Sequence, residues 1–102
     1  MSDENIDKID SIVKTVNATH FGIQRFSSHQ DRAAAYFCYI IKDHPVTDGN
    51  KRLATLWLEV YTQVYELKIK DRMSLDELAV SIEADKNTDL YDLIELTKKI
   101  LF

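Results

Sequence analysis

The segment SHQDRAAAYFCYIIKDHP, residues 28–45, decides the fold class. It opens on Ser28 and Asp31, an S-x-x-D relative of the capping box. There a short hydroxyl and an acid three residues on satisfy the free N–H groups of a helix start. The run from about Gln30 to Asp43 carries Ala33, Ala34, Tyr36, Phe37, Ile40 and Ile41, so apolar groups fall on most sides. A helix that is apolar nearly all round is a buried one. Pro45 ends it, because the residue before a proline avoids the α region. A buried central helix needs other elements to cover it.

The flanking sequence supplies helices. Residues 3–17 space Ile6, Ile9, Ile12 or Val13, and Val16 along one face, with Asp3, Glu4 and Asp7 in the first turns, where the helix dipole favours acids. A further helix starts near Asn50 and shows Leu53, Leu56, Trp57, Val60, Tyr61 and Val64 on one face. Ser74 to Glu77 is an S-x-x-E capping box ahead of Leu75, Leu78, Ala79 and Ile82. Asn87 or Thr88 is the expected cap of a last helix bearing Leu90, Leu93, Ile94, Leu96, Ile100 and Leu101, with Lys98 and Lys99 suiting its final turn. Residues 20–26, around Gly22, read as irregular, and Leu67 to Lys70 as a strand fragment or extended link. The expectation is an all-α, compact single domain over residues 1–102, of about five helices with at most a short extended segment.

Composition narrows the function classes. A chain of 102 residues suits one domain, and only two glycines and one proline disfavour a turn-rich β fold. A net charge of −4 argues against a nucleic-acid partner. The single cysteine, Cys38, rules out a disulfide framework and a multi-cysteine metal site. No apolar run approaches the roughly 20 residues of a membrane span, and the acidic start Met1 to Glu4 does not read as a signal peptide. These features point to a cytoplasmic protein with no membrane partner.

The chemistry concentrates in HPVTDGNKR, residues 44–52, which holds the only proline, one of the two glycines and a Lys-Arg pair. Gly49 permits a positive φ just before a helix start. That start offers unpaired N–H groups and the positive end of a dipole to an anion. Arg52 grips phosphate in a bidentate way and Lys51 adds a point charge. Both cations oppose the dipole of a first helical turn, which a bound anion would compensate. Asp48 is suited to Mg²⁺ shared with substrate phosphate, and His44 to general-base work near neutral pH. The same residues also make an ordinary turn beside a solvated Lys-Arg pair, and the pattern alone leaves both readings open. No Walker A spacing is present.

This stretch resembles the Fic/Doc signature H-x-F-x-[DE]-[GA]-N-[GK]-R, with Val46 at the phenylalanine position. The helices implied by residues 35–43 and 53–61 resemble those that flank it in the family. The similarity is densest from about Ser28 to Leu67, extends more loosely to Phe102, and is thin over residues 1–24. It implies that His44 deprotonates a hydroxyl of a target protein and that Asp48 places Mg²⁺ on nucleotide phosphates. It further implies that Gly49, Asn50, Lys51 and Arg52 bind those phosphates. Adenylylating Fic enzymes carry glycine where Lys51 stands and a second arginine where Thr55 stands. Both differences resemble the Doc toxins, which move the terminal phosphate of ATP or another nucleoside triphosphate to a Ser or Thr hydroxyl, in their case on a translation elongation factor. The resemblance also implies an antitoxin partner, and an upstream β-hairpin flap for which residues 20–26 are the available stretch. Fic-type adenylyl transfer, a catalytically degenerate Fic/Doc fold acting as an interaction module, and a plain helical scaffold are the alternatives.

The remaining candidates read as structure. His20 and His29 suit surface or cap positions, since neither has a second metal ligand four residues on. Cys38 reads as a small core residue, and Trp57 and Tyr61 as core rather than a base-stacking platform. One of the five tyrosines is a candidate to line a nucleotide pocket. The acids from Asp76 to Asp92 lack EF-hand spacing.

Overall fold

A computed structural model describes residues 3–102, the side chain of Met73 excepted. Met1 and Ser2, the start of the acidic N-terminal stretch, lie outside the described residues. Helix α1 spans Asp3–Val16, and a hairpin pairs β1 (Thr19–His20) with β2 (Ile23–Gln24). Helices α2 (His29–Asp43), α3 (Asn50–Val64), α4 (Leu75–Ala84) and α5 (Leu90–Leu101) follow, with a short 3₁₀ turn over Arg72–Ser74. This is the all-α architecture the sequence implies.

Helix α2 is the axis of the fold. Every residue from Ala33 to Ile41 is buried, and α1, α3, α4 and α5 all pack against it. Three consecutive alanines, Ala33 to Ala35, and Ala54 of α3 belong to the core, so small side chains let neighbouring backbones approach. Cys38 is buried as expected. Its thiol donates to Thr97 Oγ1 of α5 at 3.3 Å, and burial pushes its pKa up to about 11. It is therefore protonated and unreactive at neutral pH.

Three faces differ from the pattern in the sequence. On α3 the buried row is Asn50, Ala54, Leu58 and Thr62, at intervals of four. Leu53, Trp57 and Tyr61 pack half-buried beside it, whereas Leu56, Val60 and Val64 stay exposed along an apolar groove of about 380 Å³. On α5 the row is Leu93, Ile94, Thr97 and Leu101, leaving Leu96 and Ile100 in solvent. On α1 only Ile12 and Val16 are buried, and Ile6 is exposed. Hydrophobicity alone does not choose among neighbouring stripes, because the angle at which each helix meets α2 selects the row.

The caps are also redistributed. The S-x-x-D of residues 28–31 forms a complete capping box, with Asp31 N–H donating to Ser28 Oγ at 3.0 Å and the Asp31 carboxylate accepting from the Ser28 backbone. Lys98 of α5 pairs with Asp31 at 2.7 Å and so ties the last helix to this cap. The S-x-x-E at residues 74–77 forms no side-chain cap: Ser74, at φ −92° and ψ 2°, closes the 3₁₀ turn rather than taking the extended backbone of a cap residue, and its hydroxyl donates to Asp71. The cap of α5 is Asp89, accepting from Tyr91 N–H, rather than Asn87 or Thr88. Those two are held by Asp85, which accepts from both backbone N–H groups and from the Thr88 hydroxyl.

The stretch around Gly22 is a hairpin rather than an irregular link. Phe21 (φ 53°) and Gly22 (φ 79°) both take left-handed conformations, as a two-residue type I′ turn requires. Thr19 pairs with Gln24 and His20 with Ile23. Leu67 to Lys70 is an extended link whose Lys70 N–H donates to the Leu101 carbonyl.

Ser28→Ala is expected to cost about 1 kcal/mol of stability, and Ser74→Ala less, as urea denaturation of the two variants will measure. Hydrogen bonds from Thr88, side chain then backbone, and from Asn87 hold the Asp85 carboxyl below its ordinary 3.8, at about 2. A depressed carboxyl pKa stabilises the fold above the unfolded value and loses that contribution as pH falls through the folded one. The acid limb of thermal stability between about pH 4 and pH 2 should therefore flatten in Asp85→Asn.

Candidate active site at the start of the third helix

Six residues, 44–49, join the end of α2 to the start of α3. His44 is the C-cap of α2 in the left-handed region (φ 49°, ψ 61°). That conformation is unfavourable for a residue with a Cβ and persists only where surrounding contacts enforce it. Pro45 beside it is fully buried and anchors the loop. Gly49, also left-handed at φ 83°, turns the chain into α3.

Asn50 organises the loop. Its side chain accepts from Val46 N–H at 3.0 Å and donates to the Val46 carbonyl at 3.0 Å, so both backbone groups of Val46 are held by one carboxamide. Asn50 is only 7% exposed, and Val46 is half-buried. These two bonds set which end of the amide is the donor, and Nδ2 then meets His44 Nδ1 at 3.1 Å. With Nδ1 accepting, neutral His44 carries its proton on Nε2. Val46 is thus fixed through its backbone by the Asn50 clamp.

Helix α3 begins without a side-chain cap and without an acid in its first turn. The first helical bond is donated by Leu53 N–H to the Gly49 carbonyl at 2.9 Å, so the N–H groups before it are open to an outside acceptor. They face a cleft of about 710 Å³ lined by Asp48, Gly49, Asn50, Lys51, Arg52 and Thr55 together with Leu56, Glu59, Asp76 and Val80. Arg52 is exposed and, among the described residues, pairs with no carboxylate. Lys51 is tied to Glu83 of α4, Nζ to Oε1 at 3.0 Å. Asp48 is exposed, with Oδ1 accepting from Gly49 N–H at 2.9 Å.

The cleft therefore gathers Asp48, Gly49, Asn50, Lys51, Arg52 and Thr55, while His44 stands outside its lining and is joined to it through Asn50. The carboxamide of Asn50 is turned inward, so its backbone N–H is what it offers an anion. No tyrosine lines the cleft; Tyr61 and Tyr65 line the apolar groove instead. His29 is exposed at the first position of α2, stacked on Tyr65 with centroids 3.9 Å apart. No group of three or more His, Cys, Asp or Glu that could hold a metal occurs among the described residues. Asp48 still fits Mg²⁺ as a lone carboxylate, since Mg²⁺ characteristically takes one or two carboxylates and completes its shell with water and phosphate oxygens. Glu59 and Asp76 line the cleft and Glu83 is joined to it through Lys51; the linear motif reveals none of them. The only local signal for Glu83 is its position in the last turn of α4, where an acid opposes the dipole.

The family model described as Fic/DOC family matches residues 1–62. The chain belongs to the Fic/DOC family. The match takes in residues 1–24, where the resemblance read from the sequence is thin, and ends within α3. Neither the curated proteins nor the solved structures give a significant match. For this Fic/DOC member no helix among the described residues is long and apolar enough to cross a membrane.

Removing the Asn50 clamp leaves Val46 N–H and C=O without partners. Asn50→Ala is expected to lose about 1–3 kcal/mol of stability, against a change within about 0.5 kcal/mol for the exposed Arg52→Ala. Urea denaturation monitored by circular dichroism checks both values.

Proposed function

We propose that this chain is a Doc-like phosphotransferase, which moves the terminal phosphate of a nucleoside triphosphate to a Ser or Thr hydroxyl of a target protein. The observation that carries the reading is the uncapped start of α3 opening on a cleft with unpaired Arg52 at its mouth. Such a helix start, with cations where the dipole disfavours them, is matched to phosphate. The volume, about 710 Å³, lies within the range of small-molecule sites.

The roles follow from chemistry. The backbone N–H groups at Asn50 and beyond, with Lys51 and Arg52, take the phosphates. Asp48 would hold Mg²⁺, whose charge neutralises phosphate oxygens when bound. The acceptor oxygen attacks the terminal phosphorus, the bond to the leaving nucleoside diphosphate breaks, and the hydroxyl proton passes to His44. The proton enters at Nδ1, since Nε2 already carries one, so the bond from Asn50 Nδ2 to Nδ1 opens before the hydroxyl is deprotonated. The exposed hairpin residues Phe21 and Ile23 would align the target segment. Thr55 on the cleft, at the position of the second arginine of adenylylating relatives, favours terminal-phosphate transfer over adenylyl transfer. As a toxin of this kind the protein would act in the cytoplasm, on a factor such as a translation component, and be restrained by an antitoxin.

Incubation with γ-labelled or α-labelled ATP, Mg²⁺ and a cell extract tests the proposal. Label should reach a protein from the γ position only, and His44→Ala should reduce it by at least about a hundredfold. Transfer from the α position would identify adenylyl transfer. Absence of both transfer and nucleotide binding would leave the interaction-module reading.

A further inference from the structure

The outer face of α3 stands in solvent as one apolar stripe. Leu53, Leu56, Trp57, Val60 and Val64 follow one another at helical spacing along the groove of about 380 Å³. Leu56, Val60 and Val64 are 56, 51 and 65% exposed. That spacing is the seam a helix presents to a second helix. One wall of the groove is already rigid. The buried Tyr36 ring lies 5.3 Å from Trp57 and 5.6 Å from Tyr61, Tyr61 lies 4.6 Å from Tyr65, and Tyr65 stacks on His29. Arg32 Nε donates to the Tyr61 hydroxyl at 3.3 Å. Rings held in this way lose little freedom on docking, and Trp and Tyr are the side chains that most often anchor interfaces.

The charges beside the stripe indicate its occupant. Arg52 and Glu59, seven residues apart, share one flank of α3, and Glu66 follows just beyond its end. Among the described residues none of the three is in an ion pair. The first turn of α3 has no acid and its last turn no base. A second α3 laid antiparallel, stripe on stripe, sets Arg52 of each copy towards Glu66 of the other and opposes the two helix dipoles. A parallel copy sets like ends together.

We propose that α3 is a self-association face, through which two copies of this chain pair as a two-fold, antiparallel helix dimer. The axis crosses the middle of the stripe, so Leu53 of one copy meets Val64 of the other, and Trp57 meets Val60. Glu59, next to the axis, faces its own counterpart and weakens the pairing. A seam of about three turns is a small interface, which places dissociation in the range of about 1–100 μM. The face adjoins the cleft at Leu56, but the inference does not rest on the transfer reaction.

Sedimentation equilibrium of the full chain from about 1 to 500 μM should show monomer passing into dimer. Val60→Glu puts an unpaired charge into the seam and should weaken the dimer at least about thirtyfold. Glu59→Gln should tighten it about threefold, and Glu66→Lys should weaken it by about as much. Under oxidation Val60→Cys should cross-link, its two copies being about 4.5 Å apart along the helix, whereas Val64→Cys, at about 16 Å, should not. Cys38 is buried and takes no part. A monomer at every concentration overturns the proposal and leaves the stripe to a different chain. A dimer untouched by Val60→Glu overturns it in favour of another face. Cross-linking of Val64→Cys as readily as Val60→Cys, or unchanged association in both Glu59→Gln and Glu66→Lys, overturns the antiparallel arrangement. Thermal melting verifies that each variant is folded, and Val64→Lys replaces Val60→Glu should the latter fail to fold.

Discussion

Burial of α2 on every side is the constraint from which the rest of the molecule follows. A helix with nine successive buried residues cannot slide or rotate without moving four neighbours, and close-packed interiors resist such shifts. Its C-terminal end is therefore a fixed point, and that end is His44. Cys38, Thr97 and the alanine run belong to the same constraint: they matter for how closely the surrounding helices approach, and through that for where the loop begins.

From that fixed point the loop is held by one buried ring and by polar satisfaction. Pro45 buries its ring, and Asn50 then closes the loop from the far side by occupying both backbone groups of Val46. One carboxamide thereby links the end of α2, the bend of the loop and the start of α3. The same amide sets the neutral tautomer of His44. Geometry and protonation at the site are thus coupled through a residue whose side chain does not face the cleft.

The electrostatics of the cleft divide into open and closed parts. The start of α3 and Arg52 are open to an anion, while Lys51 is balanced by Glu83. Elsewhere the charges stabilise the fold in ordinary ways: Asp31 completes a cap and pairs with Lys98, and Asp85 holds the turn between α4 and α5. Lys42 donates to the carbonyl of Asp85 from the end of α2, so the central helix is also joined to that turn. Asp31 and Lys98 sit where the helix dipole favours them, whereas Lys51, Arg52 and Glu83 do not.

The sequence by itself determined the helical class, the central place of α2, its termination at Pro45, and the concentration of chemistry in residues 44–52. Those features are local: periodicity, a capping pattern, one proline and a long specific motif, all legible without contacts. Only the tertiary structure decided which apolar row of α3 and α5 faces inward, because helices meet at angles set by packing and not by hydrophobicity. It also decided that Ser28 rather than Ser74 forms the capping box, since Ser28 is extended whereas Ser74 closes a 3₁₀ turn. The hairpin at Phe21 and Gly22 needed two left-handed residues in succession, and only the glycine announced one. Asn50 reads in the motif as a phosphate ligand, and the fold turns its side chain to the loop. Glu83 reads as one more surface acid, and the fold sets it against Lys51, 32 residues away in the chain. Pairings across such a separation depend on how α3 and α4 cross, which no pattern along the chain encodes.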